Sequence, residues 1–369
     1  MTKARLALLA LALLAVLPVT AQDATPVSTQ MKIAKDPLTA ELLLAPRHLF
    51  RDETGIYIVE AGQGGGIAAE SPFGTAMTGT TGQITRLGED GVTQPFITGL
   101  FSSLSETAEV TGPHAFYRTD DSAWVLVGQG VPDLPPETPA WALLQYSADG
   151  TTLEKTIDLL GYEETVNPDG GAIDSNPVDF AVANDGTVYV VDAGGNDILK
   201  IVDDEISTFA VWTPVEGEPQ AVPTAITLDA EGNVYVGFLT GFPFLVGGAW
   251  VEVLDSTGAS IKRYDGLTMV TDIELTDDGT LYAVEFGQFT EEGPVSGSGR
   301  IVRLSEEGLE PVVSGLVFPY GMIALDDGTF LVANGSSFAP SSQLMHVREG
   351  DDFSTPVDTT AEPATTEQP

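Results

Sequence analysis

The residues best placed to do chemistry are polar groups that recur at one position of a repeat. Three residues after a repeated Tyr-type position stand Glu60, Asp192, Glu285 and Asn334, with Gly128 and Phe238 in the other two copies. His48, His114, Asp179 and Asp272 stand near the start of the same copies. Carboxylates and a carboxamide converging on one point suit Ca²⁺, which takes six to eight oxygen ligands. The competing reading is that these groups cap strands and bind loop amides. No Asp-x-Asx-x-Asx-Gly loop is present, so any metal site is positional and carries no motif. His114 follows Pro113 and could serve as a general base near neutral pH. It has no companion nucleophile: the chain holds three histidines and no cysteine. HExxH, GxSxG and glycine-rich phosphate loops are also missing. A backbone-orienting role for His114 therefore competes with catalysis.

Two loops add candidate ligand-binding groups. The string Asn167-PDGGAIDSNP places Asp169, Asp174 and Asn176 at turn-like spacing around Gly170 and Gly171, and Asn196 sits in Asp192-AGGND. These could hold a cation or a polar ligand, or form an Asx-turn network that shapes a crossover. Phe242 and Phe244 flank Pro243. Exposed, they offer an apolar or stacking wall; buried, they pin their loop.

The elements that position these groups come from internal repetition. An apolar strand, a polar turn and a second strand centred on a Tyr-type residue recur six times, at Tyr57, Val125, Tyr189, Tyr235, Tyr282 and Leu331; the turn is Asp-Gly or Glu-Gly in the last four copies and looser in the first two. The last four copies are 46 to 49 residues apart, the length of a four-stranded propeller blade. Third and fourth strands with period-2 alternation follow, such as Ala142-LLQYS and Leu153-EKTIDL. The fold expected is all-β, a six-bladed β-propeller of TolB/NHL-like type. The strand at 39–45 is expected to join the last blade and close the ring, which protects sheet edges. Strand direction then puts the long connections 61–81, 99–112, 128–140, 161–176, 212–222, 238–248 and 286–298 on one face, here called the top. Function on rigid scaffolds concentrates in such loops.

The ends read differently. Lys3, Arg5, the apolar run Leu6 to Leu17 and Val19-Thr20-Ala21 form a secretory signal pattern over 1–21. A polar leader covers 22–37, the propeller 38–349, and a Thr/Pro/acidic tail expected to be disordered covers 350–369. The formal net charge is −39, which disfavours nucleic acid and anionic membranes as partners. The run at 6–17 is too short to span a bilayer, which takes about 20 residues. A monomer is expected, secreted to the extracellular or periplasmic space, that meets a small molecule or a protein at its top face.

Thr111-GPH, Asn167-PDGGAIDSNP, Asp192-AGGND, Gln220-AVPT and Leu239-TGFPF occur in that order. On these motifs the chain resembles the ScyD/ScyE family of exported proteins over about residues 40–348. More distantly, its Asp-Gly-x-x-Tyr-Val rhythm is similar to NHL, gluconolactonase and strictosidine-synthase-like propellers. The resemblance implies export and the six-bladed fold, and little chemistry. The expected function is a binding or accessory module. The alternatives are a metal-assisted enzyme of lactonase or strictosidine-synthase-like type, and an extracellular scaffold for protein partners.

Overall fold

A computed structural model describes residues 43–71, 74–88, 90–132, 134–135, 137–336 and 342–354. The expected signal sequence and leader, residues 39–42 of the expected closing strand and the expected tail from 355 onward lie outside these residues. The fold is a six-bladed β-propeller.

Blades 2 to 5 each contain four antiparallel strands in chain order from the axis outward. Blade 2 runs through Pro113–Arg118, Ser122–Val127, Ala142–Ser147 and Leu153–Asp158. Blade 3 runs through Pro177–Val182, Val188–Asp192, Asp197–Val202 and Glu205–Val211. The innermost strands of blades 4 and 5 are Pro223–Leu228 and Val270–Leu275. Blade 6 has three described strands, Met322–Ala324, Thr329–Asn334 and Gln343–Arg348. Each innermost strand touches the next, and that of blade 6 touches Pro46–Asp52 of blade 1, so the ring is complete at the axis.

Why these segments form second strands is visible in their burial. Val125 and Val127 face a core shared with blade 1, while Leu126 between them faces one shared with blade 3. Successive side chains point to opposite faces, and both faces are covered. The core is therefore divided into layers between neighbouring blades, including those between blades 3 and 4, 4 and 5, and 5 and 6.

Blade 1 departs from the expected loops at 61–81 and 99–112. Its outer strands are long, Gly74–Leu87 and Thr93–Ser105, and are joined by Ile67–Ser71 and Val110–Thr111. Glycine allows this close crossing: a Cβ on Gly65 would lie 2.6 Å from the Gly79 Cα. The crossover at 161–176 carries a short helix, Leu160–Val166. The loop at 286–298 contains a small hairpin, Phe289–Thr290 with Gly293–Pro294. At the ring seam, the described residues 44 and 45 bond to blade 1: the carbonyls of Leu44 and Ala45 accept from the amides of Gly62 and Ala61. Ordered packing also passes the expected boundary at 349, since the Ser314 amide donates to Asp351 O and that of Phe353 to Ser314 O.

Candidate functional site

The channel is shaped by a repeated irregularity. In blades 1 to 5 the pairing register shifts within the first residues of the innermost strand, as between Pro177 and Asp179 or Val270 and Asp272. Such a bulge re-aims side chains at a strand end. Two residues after the opening residue of each copy stand, in blade order, His48, Ala115, Asp179, Ala225, Asp272 and Gly321. Large polar groups thus alternate with small residues, which leaves room for three side chains from alternate blades to meet.

They do meet. His48 Nδ1 lies 3.4 Å from Asp272 Oδ1 and 3.9 Å from Asp179 Oδ1. One ligand atom from each of the three lies within 4.8 Å of the others. Each carboxylate also stitches two blades. Asp179 accepts from its neighbour Phe180 N at 2.8 Å and from Ile226 N of blade 4 at 2.9 Å. Asp272 accepts from Ile273 N at 2.9 Å and from Met322 N of blade 6 at 2.6 Å. Burial opposes charge on His48, yet the two aspartates outweigh it and hold its pKa up at about 9. Burial pushes Asp179 up to about 6 against the pull of His48.

Above this trio sits Tyr320. Its hydroxyl is 3.2 Å from His114 Nδ1, its ring stands edge-on to His48 at 5.5 Å, and the Arg47 guanidinium lies 4.5 Å from its centroid. Burial, then the charges of Arg47 and His48, drive the His114 pKa well below its usual value, so its imidazole is neutral. The Nε2 atoms of His48 and His114 are both buried without a hydrogen-bond partner.

Glu60, Asp192, Glu285 and Asn334 are not gathered in this way. Each accepts a backbone amide of the segment entering its own blade: Leu44 N at 2.6 Å, Asn176 N at 2.7 Å, Thr268 N at 2.9 Å and Val317 N at 2.9 Å. Glu60 further binds Gln83 and Thr85, and Glu285 pairs with Arg300. These oxygens work as latches on four separate crossovers. A metal at the channel fits His48, Asp179 and Asp272, whose donor atoms converge, better than it fits this set.

The two polar strings at blade 3 form one network. Asn196 Nδ2 donates to Asp169 Oδ2 at 3.0 Å, and Asn196 Oδ1 accepts from Val222 N at 3.2 Å. Asn176 Oδ1 accepts from Gln129 N, and Asp174 Oδ1 from Gln129 Nε2. Asp192 takes four donors: Ser175 Oγ and the amides of Asn176, Gly194 and Gly195. Glu163 and Asp197, the last residue of the Asp192-AGGND string, lie beside this network, and nothing in their local sequence singles them out. The same is true of Arg47 and Tyr320 in the channel; the only available signal was their shared place one residue after Pro46 and Pro319.

Phe242 and Phe244 part company. Phe242 is 76% exposed. Phe244 packs on Phe289 at 5.2 Å, against a core of Met269, Phe286 and Phe318. At the opposite face, a cleft of about 470 Å³ between blades 5 and 6 is lined by residues including Glu274, Tyr282 and Asp326. The Arg51–Asp326 ion pair joins blade 1 to blade 6 there, at 2.7 Å.

No family model and no curated protein matches the chain. Among the described residues, no helix is long and apolar enough to cross a membrane. Solved structures do match. One is a streptogramin B lyase, 15% identical with a TM-score of 0.47 over 84% of this chain and 95% of that one. A second is the calcium-binding protein regucalcin of Agrobacterium tumefaciens, 11% identical with a TM-score of 0.48 over 87% and 96%. A third, of unknown function, comes from Bacteroides thetaiotaomicron and is 9% identical with a TM-score of 0.52 over 85% and 72%. At such identities the likeness is one of β-propeller fold alone.

Proposed function

We propose that the chain is an exported, monomeric ScyD/ScyE-like binding module that takes a small polar ligand at the top end of its channel. The observation that carries this reading is the convergence of Arg47, His48, His114, Asp179, Asp272 and Tyr320, with two imidazole Nε2 atoms buried and unpartnered. A buried polar atom left unsatisfied costs about 1–3 kcal/mol. A ligand that bonds to these nitrogens recovers that cost. The long loops from 128 to 298 rim the same face. Phe242, Leu245 and Val246 are exposed on one of them and would be the part that meets a protein instead. The test is a thermal-shift screen of the mature chain against sugar lactones, phenols and small carboxylates. Hits should bind the His114→Ala variant at least about tenfold more weakly, the loss of one good hydrogen bond. Hits that bind the variant unchanged would overturn the reading. Export rests on the pattern over 1–21, and N-terminal sequencing of the protein from outside the cytoplasm should then begin at Gln22.

A second reading rests on the donor set His48, Asp179 and Asp272. One imidazole, once it gives up its proton, and two carboxylates suit a catalytic divalent ion that polarises a carbonyl. The residues present would hold the ion, and the neutral His114 would exchange a hydrogen bond with Tyr320 and resist taking up a proton. Mn²⁺ or Zn²⁺ should then raise the melting temperature of the wild type but not of Asp272→Asn; no response in the wild type removes this reading.

A further inference from the structure

The crossover into blade 3 gathers five carboxylates: Glu163, Asp169, Asp174, Asp192 and Asp197. Four are nearly sealed from solvent, with exposures of 3% for Glu163, 6% for Asp169, 2% for Asp192 and 1% for Asp197. Among the described residues no Lys, Arg or His forms an ion pair with any of the five. A buried carboxylate without a counter-charge is costly unless hydrogen bonds, a proton or a cation satisfy it.

The hydrogen bonds show which atoms are left over. Asp192 is saturated by four donors. Asp169 accepts from Gly171 N on one oxygen and Asn196 Nδ2 on the other. Asp174 accepts from Gln129. Glu163 Oε1 and Asp197 Oδ1 are buried with no partner at all. The Asp197 oxygen faces the cluster: a Cβ on Gly195 would lie 3.5 Å from both it and the Asp192 Cγ. After burial itself, the charges of Asp192, Glu163 and Asp169 are what raise the Asp197 pKa to about 9. Burial likewise raises Glu163 to about 7.

Two things could neutralise such a nest, a proton or a cation. A proton on Asp197 turns that group into a donor and removes only one charge of the cluster. A cation satisfies both orphan oxygens and the charge together. We propose that this crossover is a binding site for a hard divalent cation, Ca²⁺ first of all, held directly by Glu163 and Asp197 and electrostatically by Asp169 and Asp192. The donors are all oxygen, with no imidazole or sulfur, which selects Ca²⁺ or Mg²⁺ over softer metals. No three carboxylates of the nest bring oxygens within 4.8 Å of one another, so backbone carbonyls and water complete the shell. That places the affinity at the weak end, with Kd on the order of 10⁻⁴–10⁻³ M. The ion ties helix Leu160–Val166 to the turn at 192–197 and stiffens the rim of the top face. This site is independent of the channel trio.

The experiment compares thermal melts of the mature chain at pH 8 in EDTA and in 10 mM CaCl₂, with calorimetric Ca²⁺ titration. Wild type should gain on the order of 2 °C, as expected for a native-state ligand at about ten times its Kd. Asp197→Asn and Glu163→Gln should melt like the wild type in EDTA and gain nothing from Ca²⁺. Asp272→Asn, in the channel, should keep the gain. A wild type with no shift and no binding heat overturns the proposal, as does an Asp197→Asn variant with an undiminished response. Should either variant fail to fold, amide exchange of segment 161–176 in the wild type decides: slower exchange in Ca²⁺ than in EDTA supports the site, and equal exchange overturns it.

Discussion

At the scale of single residues, His48 carries the most consequence. Its pKa rises from 6.5 in the unfolded chain to about 9 in the fold because Asp179 and Asp272 flank it. The folded state thus prefers the protonated form. Its contribution to stability is complete below pH 6.5 and fades as the pH rises through 9. Asp179 moves from 3.8 to about 6, so its contribution fades in the same direction over that lower window. Urea unfolding at pH 6.5 and 9.5 should show the wild type losing stability at the higher pH. His48→Ala should cost about 3–5 kcal/mol at pH 6.5, since it strands two buried carboxylates, and much less at pH 9.5. Asp197, Glu163 and Glu274 also titrate across this range, so the difference between the two proteins isolates His48. An equal cost at both values would show that His48 is not charged in the fold. His48, Asp179 and Asp272 were each visible in the sequence as strand-top residues. Their meeting was not, because it depends on a six-fold ring that brings every second blade to one point.

At the scale of elements, the bulged start of the innermost strand is the device that repeats. It turns position two toward the axis, and the alternation with Ala115, Ala225 and Gly321 keeps the axis from overfilling. Gly321 shows how tight the fit is: a Cβ there would lie 2.6 Å from Arg47 O and 2.8 Å from the His48 Cα. Both are backbone atoms and cannot yield cheaply. Gly321→Ala should therefore cost about 1–3 kcal/mol, as overpacking does, and should shift the His48 titration by moving blade 6 against blade 1. Chemical denaturation and NMR titration of His48 check both; a variant with wild-type stability would mean the seam is loose. The strand pattern itself was legible, as in Ala142-LLQYS and Leu153-EKTIDL, because period-2 alternation is local. The extended sheet of blade 1 was not. Its Gly- and Thr-rich run reads as loop, and only the close approach of Gly65 to Gly79 shows why glycine is needed within a sheet.

At the scale of the whole molecule, the ring is the unit of stability. Its hydrophobic layers lie between blades, so no blade buries both faces alone. Residues 44 and 45 are tied to blade 1 by the amides of Gly62 and Ala61 and by Glu60, which accepts the Leu44 amide. Deleting residues 38–45 should give an unfolded or aggregating chain, seen by circular dichroism and light scattering. A soluble truncation that melts cooperatively would refute a closing role for this segment. The six-fold repeat and the four-strand pattern of blades 2 to 5 were determined by the sequence alone, because each rests on local periodicity, turn chemistry and spacing. Which carboxylates are free was decided only by the tertiary structure. Glu60, Asp192, Glu285 and Asn334 look like a ligand ring in one dimension and prove to be latches, since the backbone amides they meet come from segments 16 or 17 residues away. The channel trio and the acidic nest arise where distant segments bury charge together, and burial is a property that no local stretch of sequence possesses.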